Sequence, residues 1–60
     1  MTGPRIRVRH DRGQGWLGAT YVPGHPPTYA AWNHYRDPFR AVLFALRHLP
    51  RAARAAWRTR

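Results

Sequence analysis

The sequence contains no cysteine, lysine, serine or glutamate, and its only carboxylate side chains are Asp11 and Asp37. Each gap closes a class of chemistry. Without Cys there are no disulfides, thiolate metal sites or thiol nucleophiles. Without Ser the serine hydrolases drop out. Two lone aspartates far apart in the sequence argue against an enzyme built on a carboxylate pair. Long apolar runs are missing too. The longest, Ala41 to Leu46, is far short of the ~20 residues a membrane span requires. The first nine residues hold no apolar stretch of the roughly 7–15 residues a secretory signal needs. A cytoplasmic protein with no membrane partner is the expectation.

What is present is mostly arginine and small or aromatic apolar residues. Sixty residues make one domain at most, and a chain this short buries only about 60% of its unfolded surface. The 43% hydrophobic content lies near the ordinary globular range. All 11 basic residues are Arg, for a formal charge of +9. Such an excess points to anionic partners: nucleic acid, a membrane surface or an acidic protein. The charge is also segregated. Arg5, Arg7, Arg9 and Arg12 stand at the start, residues 13–35 hold no Arg or Asp, and the other seven Arg follow. A neutral, aromatic-rich centre therefore separates two basic segments.

Arg5-Ile6-Arg7-Val8-Arg9 alternates with the period of a half-buried strand, Ile6 and Val8 inward and the three Arg outward. Asp11 to Gly15 reads as a turn. Trp16 to Val22 reads as a second strand, stopped by Pro23-Gly24. Thr28 to Trp32 reads as a third, although Ala30 and Ala31 are poor strand formers. Asp37-Pro38 starts a helix, with Asp as cap and Pro at the first helical position. Phe39, Val42, Leu43, Leu46 and Leu49 then recur as one apolar stripe suited to covering a sheet. Pro50 ends or kinks that helix, and residues 51–58 form a second short helical tail. The expected fold is α+β: a three-stranded antiparallel meander covered by one amphipathic helix. Residues 1–49 form the module and 50–60 a basic tail. The expected core is Ile6, Val8, Trp16 or Leu17, Tyr21, Phe39, Val42, Leu43 and Leu46.

Three groups carry candidate function. Arg5, Arg7 and Arg9 form a row on one sheet face, with nothing acidic nearby to neutralise it. Such a row suits phosphates or guanine edges, or simply keeps a strand solvated. Arg40, Phe44, Arg47 and Arg51 fall on one helix face, which leaves Phe44 exposed for base stacking or a partner, or packed beneath the C-terminal segment against Trp57. Arg51, Arg54, Arg58 and Arg60 form a basic tail able to gather phosphates or to fray in solvent. His10, His25, His34 and His48 lack metal-ligand spacing, and no metal or cofactor is expected. His34 or His10 could serve as an acid–base group in RNA cleavage, but no second catalytic partner is visible.

Gly15-Trp16-Leu17-Gly18-Ala19, Pro23-Gly24, Asp37-Pro38-Phe39-Arg40-Ala41-Val42 and Ala45-Leu46 together resemble the pattern of HicB-like antitoxins across residues 5–49. That resemblance implies a sheet-plus-helix domain that neutralises a small RNA-cleaving toxin. The same element order is similar to the arm-type DNA-binding domain of tyrosine recombinases, which lays a three-stranded sheet in the major groove. Arg5, Arg7 and Arg9 and the Gly15-Trp16 start of the second strand match that second relative. Pro23-Gly24-His25-Pro26-Pro27 stands where it has a basic hairpin. The combined expectation is a small, non-enzymatic, nucleic-acid-binding module, for DNA ahead of RNA. Arg5, Arg7, Arg9, Arg40, Arg47, Arg51, Arg54 and Arg58 would be the contacts, and Phe44 and Trp57 a partner interface. The alternative is an antitoxin or inhibitor-type module docking on an acidic protein. Two sheet edges and a marginal core point further to self-association, through an edge strand or Phe44.

Overall fold

The computed structural model describes residues 3–58. Strands β1 (Arg5–Asp11), β2 (Gly15–Val22) and β3 (Tyr29–Tyr35) form an antiparallel sheet in the order β1-β2-β3, followed by one helix, α1 (Pro38–Arg58). The architecture is the expected α+β meander with a C-terminal helix. It differs in the tail. Helix α1 runs unbroken for 21 residues through Pro50, so residues 51–58 continue it rather than forming a second short helix.

The β1–β2 turn is closed by Gln14 N–H donating to the Asp11 carbonyl at 3.1 Å. Gly13 and Gly15 adopt φ of +82° and +94°, a region open to glycine at no steric cost. The longer β2–β3 connection is closed by Thr28 N–H donating to the Val22 carbonyl at 3.3 Å. Asp37 caps the helix: its Oδ1 accepts from Arg40 N–H at 2.8 Å, leaving Pro38 at the position where a missing N–H costs nothing.

Register decides which side chains share a face, because directly paired residues in an antiparallel sheet point the same way. Gly18 pairs with Val8 and Asn33, and Thr20 with Ile6 and Ala31. This face carries the helix. A Cβ on Gly18 would collide with the backbone of Ala41. Two residues on, the buried Thr20 Oγ1–H donates to the Ala45 carbonyl at 2.5 Å. Ala41, Ala45 and Ala52 are fully buried, and with Val22 and Leu17 they make up the buried apolar set.

The helix is thus rotated away from the expected orientation. Phe39, Val42, Leu43 and Leu46, expected in the core, are 79%, 39%, 58% and 47% exposed. Ile6 and Val8 do face the helix layer but are only half covered, and Tyr21 lies on the opposite sheet face. The cause is distance. With glycine on the sheet and alanines on the helix, the backbones approach too closely for Leu or Phe between them. Pro50 survives inside α1 because Leu46, whose carbonyl loses the bond, and Pro50 itself are both exposed, so water can take up the free carbonyl. The ~3 kcal/mol an interior proline costs is offset by continued packing, since Ala52 beyond it is completely buried.

Gly18→Ala is expected to cost about 1–3 kcal/mol, the range for overpacking a tight contact. Thr20→Val, which keeps the shape and loses the bond to Ala45, should cost about 0.5–1.5 kcal/mol. Urea midpoints of the two variants check both values. A wild-type midpoint for Gly18→Ala would mean that the helix does not sit against β2 at this point.

Candidate nucleic-acid interface

Among the described residues nothing covers the other face of the sheet. Its side chains fall into three cross-strand rows set by the register: Arg5–Tyr21–Ala30, Arg7–Ala19–Trp32 and Arg9–Leu17–His34. Outer strands of a three-stranded sheet stand about 10 Å apart. In the middle row the small Ala19 leaves the space between Arg7 and Trp32 empty. The result is a concave groove of about 930 Å³. Arg7, Arg9, Ala19, Tyr21 and Trp32 line it along the strands, with Arg12 and Gln14 of the first turn and Pro23, Gly24 and Pro27 of the second loop also contributing. Trp32 is 66% exposed, and its ring meets His34 edge-on at 5.8 Å.

The third row is locked. Arg9 Nε donates to Asp11 Oδ1 at 2.8 Å, and His34 Nε2–H donates to Asp11 Oδ2 at 2.9 Å. Arg9 and His34 flank Leu17 in the register, and Leu17, though on the open face, is 8% exposed. The His34 hydrogen bond, followed by the Arg9 charge, holds the Asp11 carboxyl below its usual range against an opposing effect of partial desolvation. The Arg row does therefore have an acid beside it, contrary to expectation. Asp11 lies on the same face two residues beyond Arg9 and partly neutralises it, while Arg5 and Arg7 have no such partner among the ion pairs of the described residues.

The remaining candidates are spread over other surfaces. Arg47, Arg51, Arg54 and Arg58 are exposed on α1, in the layer behind the sheet. Arg40 is exposed and lies 3.5 Å from Asp37. Arg60 lies outside the described residues. Phe44 is not an exposed anchor. It is half-buried, 5.9 Å from the Tyr35 ring and 4.4 Å from that of His48, and His48 Nδ1 and Tyr29 Oη share a hydrogen bond of 2.7 Å. Trp57 is 73% exposed near the helix end. Among the described residues no three His or Asp side chains gather as metal ligands, and no helix is long and apolar enough to cross a membrane. Sequence reasoning missed Trp32, Tyr21 and Arg12 as companions of the Arg row. The alternation of Ala30, Trp32 and His34 carried that signal, but its phase needed the register.

Comparison of the chain with protein-family models, with curated proteins and with solved structures returned no match.

The lowered Asp11 pKa fixes the direction of a pH effect. A carboxylate held below its ordinary value of about 3.9 stabilises the fold fully above that value, and the contribution is lost as pH falls through the lowered native pKa. Asp11→Asn should therefore be less stable than wild type at pH 6, with the difference shrinking toward pH 2. Paired denaturation curves test this, and a difference that grows on acidification would refute it.

Proposed function

We propose that this protein binds nucleic acid, DNA ahead of RNA, on the open face of its sheet and catalyses no reaction there. The observation that carries the reading is the Arg7–Ala19–Trp32 row: an Arg and an exposed indole face each other across a small floor, within a surface that is basic and uncovered. Each part has a use. Guanidinium groups of Arg5, Arg7 and Arg12 pair with phosphate oxygens and displace condensed counterions. Trp32 offers an aromatic face to a base or to a thymine methyl. A sheet whose outer strands are about 10 Å apart suits the B-DNA major groove, about 12 Å wide, whereas the major groove of A-form RNA is too deep and narrow for side chains to read.

The arginines divide by role in this reading. Arg5, Arg7 and Arg12 are the phosphate contacts. Arg9 contributes less, because its charge is already shared with Asp11. Arg47, Arg51, Arg54 and Arg58 stand on the helix layer and act as a long-range positive field.

Binding of labelled duplex DNA over a salt series tests the reading. Removing one phosphate-binding Arg should flatten the log–log salt slope by about 0.9. The triple Arg5/Arg7/Arg12→Ala variant should therefore drop by close to three such increments, and Arg9→Ala by less than one. Ala19→Leu fills the floor without altering charge and should weaken binding while leaving the slope unchanged. Equal affinity of wild type and the triple variant would rule out the sheet face. Failure to retain DNA at physiological salt, with an acidic protein captured through Arg7 instead, would favour the inhibitor-type alternative.

A further inference from the structure

The flank of α1 that looks toward β1 is an apolar surface that stays partly exposed. On the other flank, Phe44 and His48 reach β3 through Tyr35 and Tyr29. With β2 in the middle of the sheet, the flank carrying Val42 and Leu46 therefore overlies β1. Gly18 lies under Ala41 and pairs with Val8, and Thr20 binds Ala45 and pairs with Ile6. Ile6 and Val8 consequently run into Val42 and Leu46, and the surface continues to Phe39 and Leu43. All six are between 39% and 79% exposed. At the roughly 200 Å² of an aromatic side chain, an upper scale for Val, Leu and Ile, they present at most about 600 Å². That is the top of the range for a single patch on a monomer.

We propose that this flank is the interface of a homodimer, a second copy seating the same six residues against it about a two-fold axis. Burying it on both copies removes up to about 1,200 Å² from water, the lower end of the range for specific interfaces. Charge selects the occupant. Two chains of +9 repel wherever their arginines meet. At about 100° per residue, Arg40, Arg47, Arg51, Arg54 and Arg58 fall together on the outer side of the helix, beyond the edge of the apolar arc. Arg5, Arg7 and Arg9 point from the opposite sheet face. Ile6, Val8, Val42 and Leu46 lie away from those arginines, and only Leu43, three residues after Arg40 and four before Arg47, borders them, so two copies that close from the β1 side keep most of their guanidinium groups apart. An acidic partner would be drawn to the Arg surfaces instead. In an isologous contact of this kind each copy contributes the same patch. Such a dimer forms whatever the open face binds.

Sedimentation of the nuclease-treated full chain over the micromolar range tests it. Wild type should sediment as a dimer, and added salt should tighten it by screening the repulsion between copies. Leu43→Arg places a charge on each side of the two-fold and should raise the dimer dissociation constant by about a hundredfold or more, the scale of a hot-spot loss. Circular dichroism should stay native, because Leu43 is mostly exposed in the single chain. Phe39→Ala gives a second, milder variant with the same expected direction should Leu43→Arg fail to fold. Arg54→Ala, on the outer helix surface, should dimerise like wild type. A wild-type protein that remains monomeric throughout, or a dimer indifferent to both Leu43→Arg and Phe39→Ala, would overturn the proposal.

Discussion

The contact between Gly18 of β2 and the backbone of Ala41 governs the rest of the structure. Without a side chain at Gly18, the helix can descend until its own backbone meets the sheet. At that distance only alanine fits on the helix side, so Ala41, Ala45 and Ala52 point inward. Thr20 then comes close enough to bond the Ala45 carbonyl, which uses the hydroxyl of a residue with no exposure at all. Close packing of small groups gains its energy from many short dispersion contacts rather than from a few large side chains.

Fixing the helix by its alanines has two consequences for the surface. Phe39, Val42, Leu43 and Leu46 are turned away from the sheet centre and stay well exposed, while Phe44 packs on the β3 side, which leaves the chain with an apolar flank unusual for its size. The opposite face of the sheet receives no cover, since α1 is already used. That face is kept soluble by the Arg row and by the Arg9–Asp11–His34 cluster flanking Leu17. On the middle strand, Ala19 leaves a groove between Arg7 and Trp32. The molecule thus divides into an uncharged flank, a basic open face and a basic outer helix surface, and the proposed partners follow that division.

Much of the fold is legible in the residues. The Arg5–Arg9 alternation, the glycines of the first turn, the Pro23-Gly24 stop and the Asp37-Pro38 helix start act locally, through φ preferences, period-two patterning and a cap, and each stands where local rules put it. The strands β1 and β3 run a little beyond their expected ends, because pairing to β2 recruits Asp11 and the Asn33–Tyr35 segment whatever their own propensity. The helix departs from its local pattern in phase and length. An apolar stripe is weighted by side-chain size, so Phe39, Leu43 and Leu46 outweigh three alanines. Only the approach of Gly18 shows that size is the disqualifying property. Pro50 likewise breaks a helix by local rules and does not break this one, because its freed carbonyl faces water while Ala52 remains packed.

The candidate site divides in the same way. Composition and alternation alone determined that the protein is strongly basic and that Arg5, Arg7 and Arg9 share one side of a strand. They also determined that the sequence offers no thiol or serine hydroxyl. Tertiary structure decided that Arg7 faces Trp32 across Ala19, that Asp11 ties up Arg9, and that Phe44 is packed while Leu43 is not. The reason is physical. Charge and period belong to a single segment, whereas register between strands and the rotation of a helix are properties of pairs of segments. They are set by which side chains are small enough to let two backbones meet.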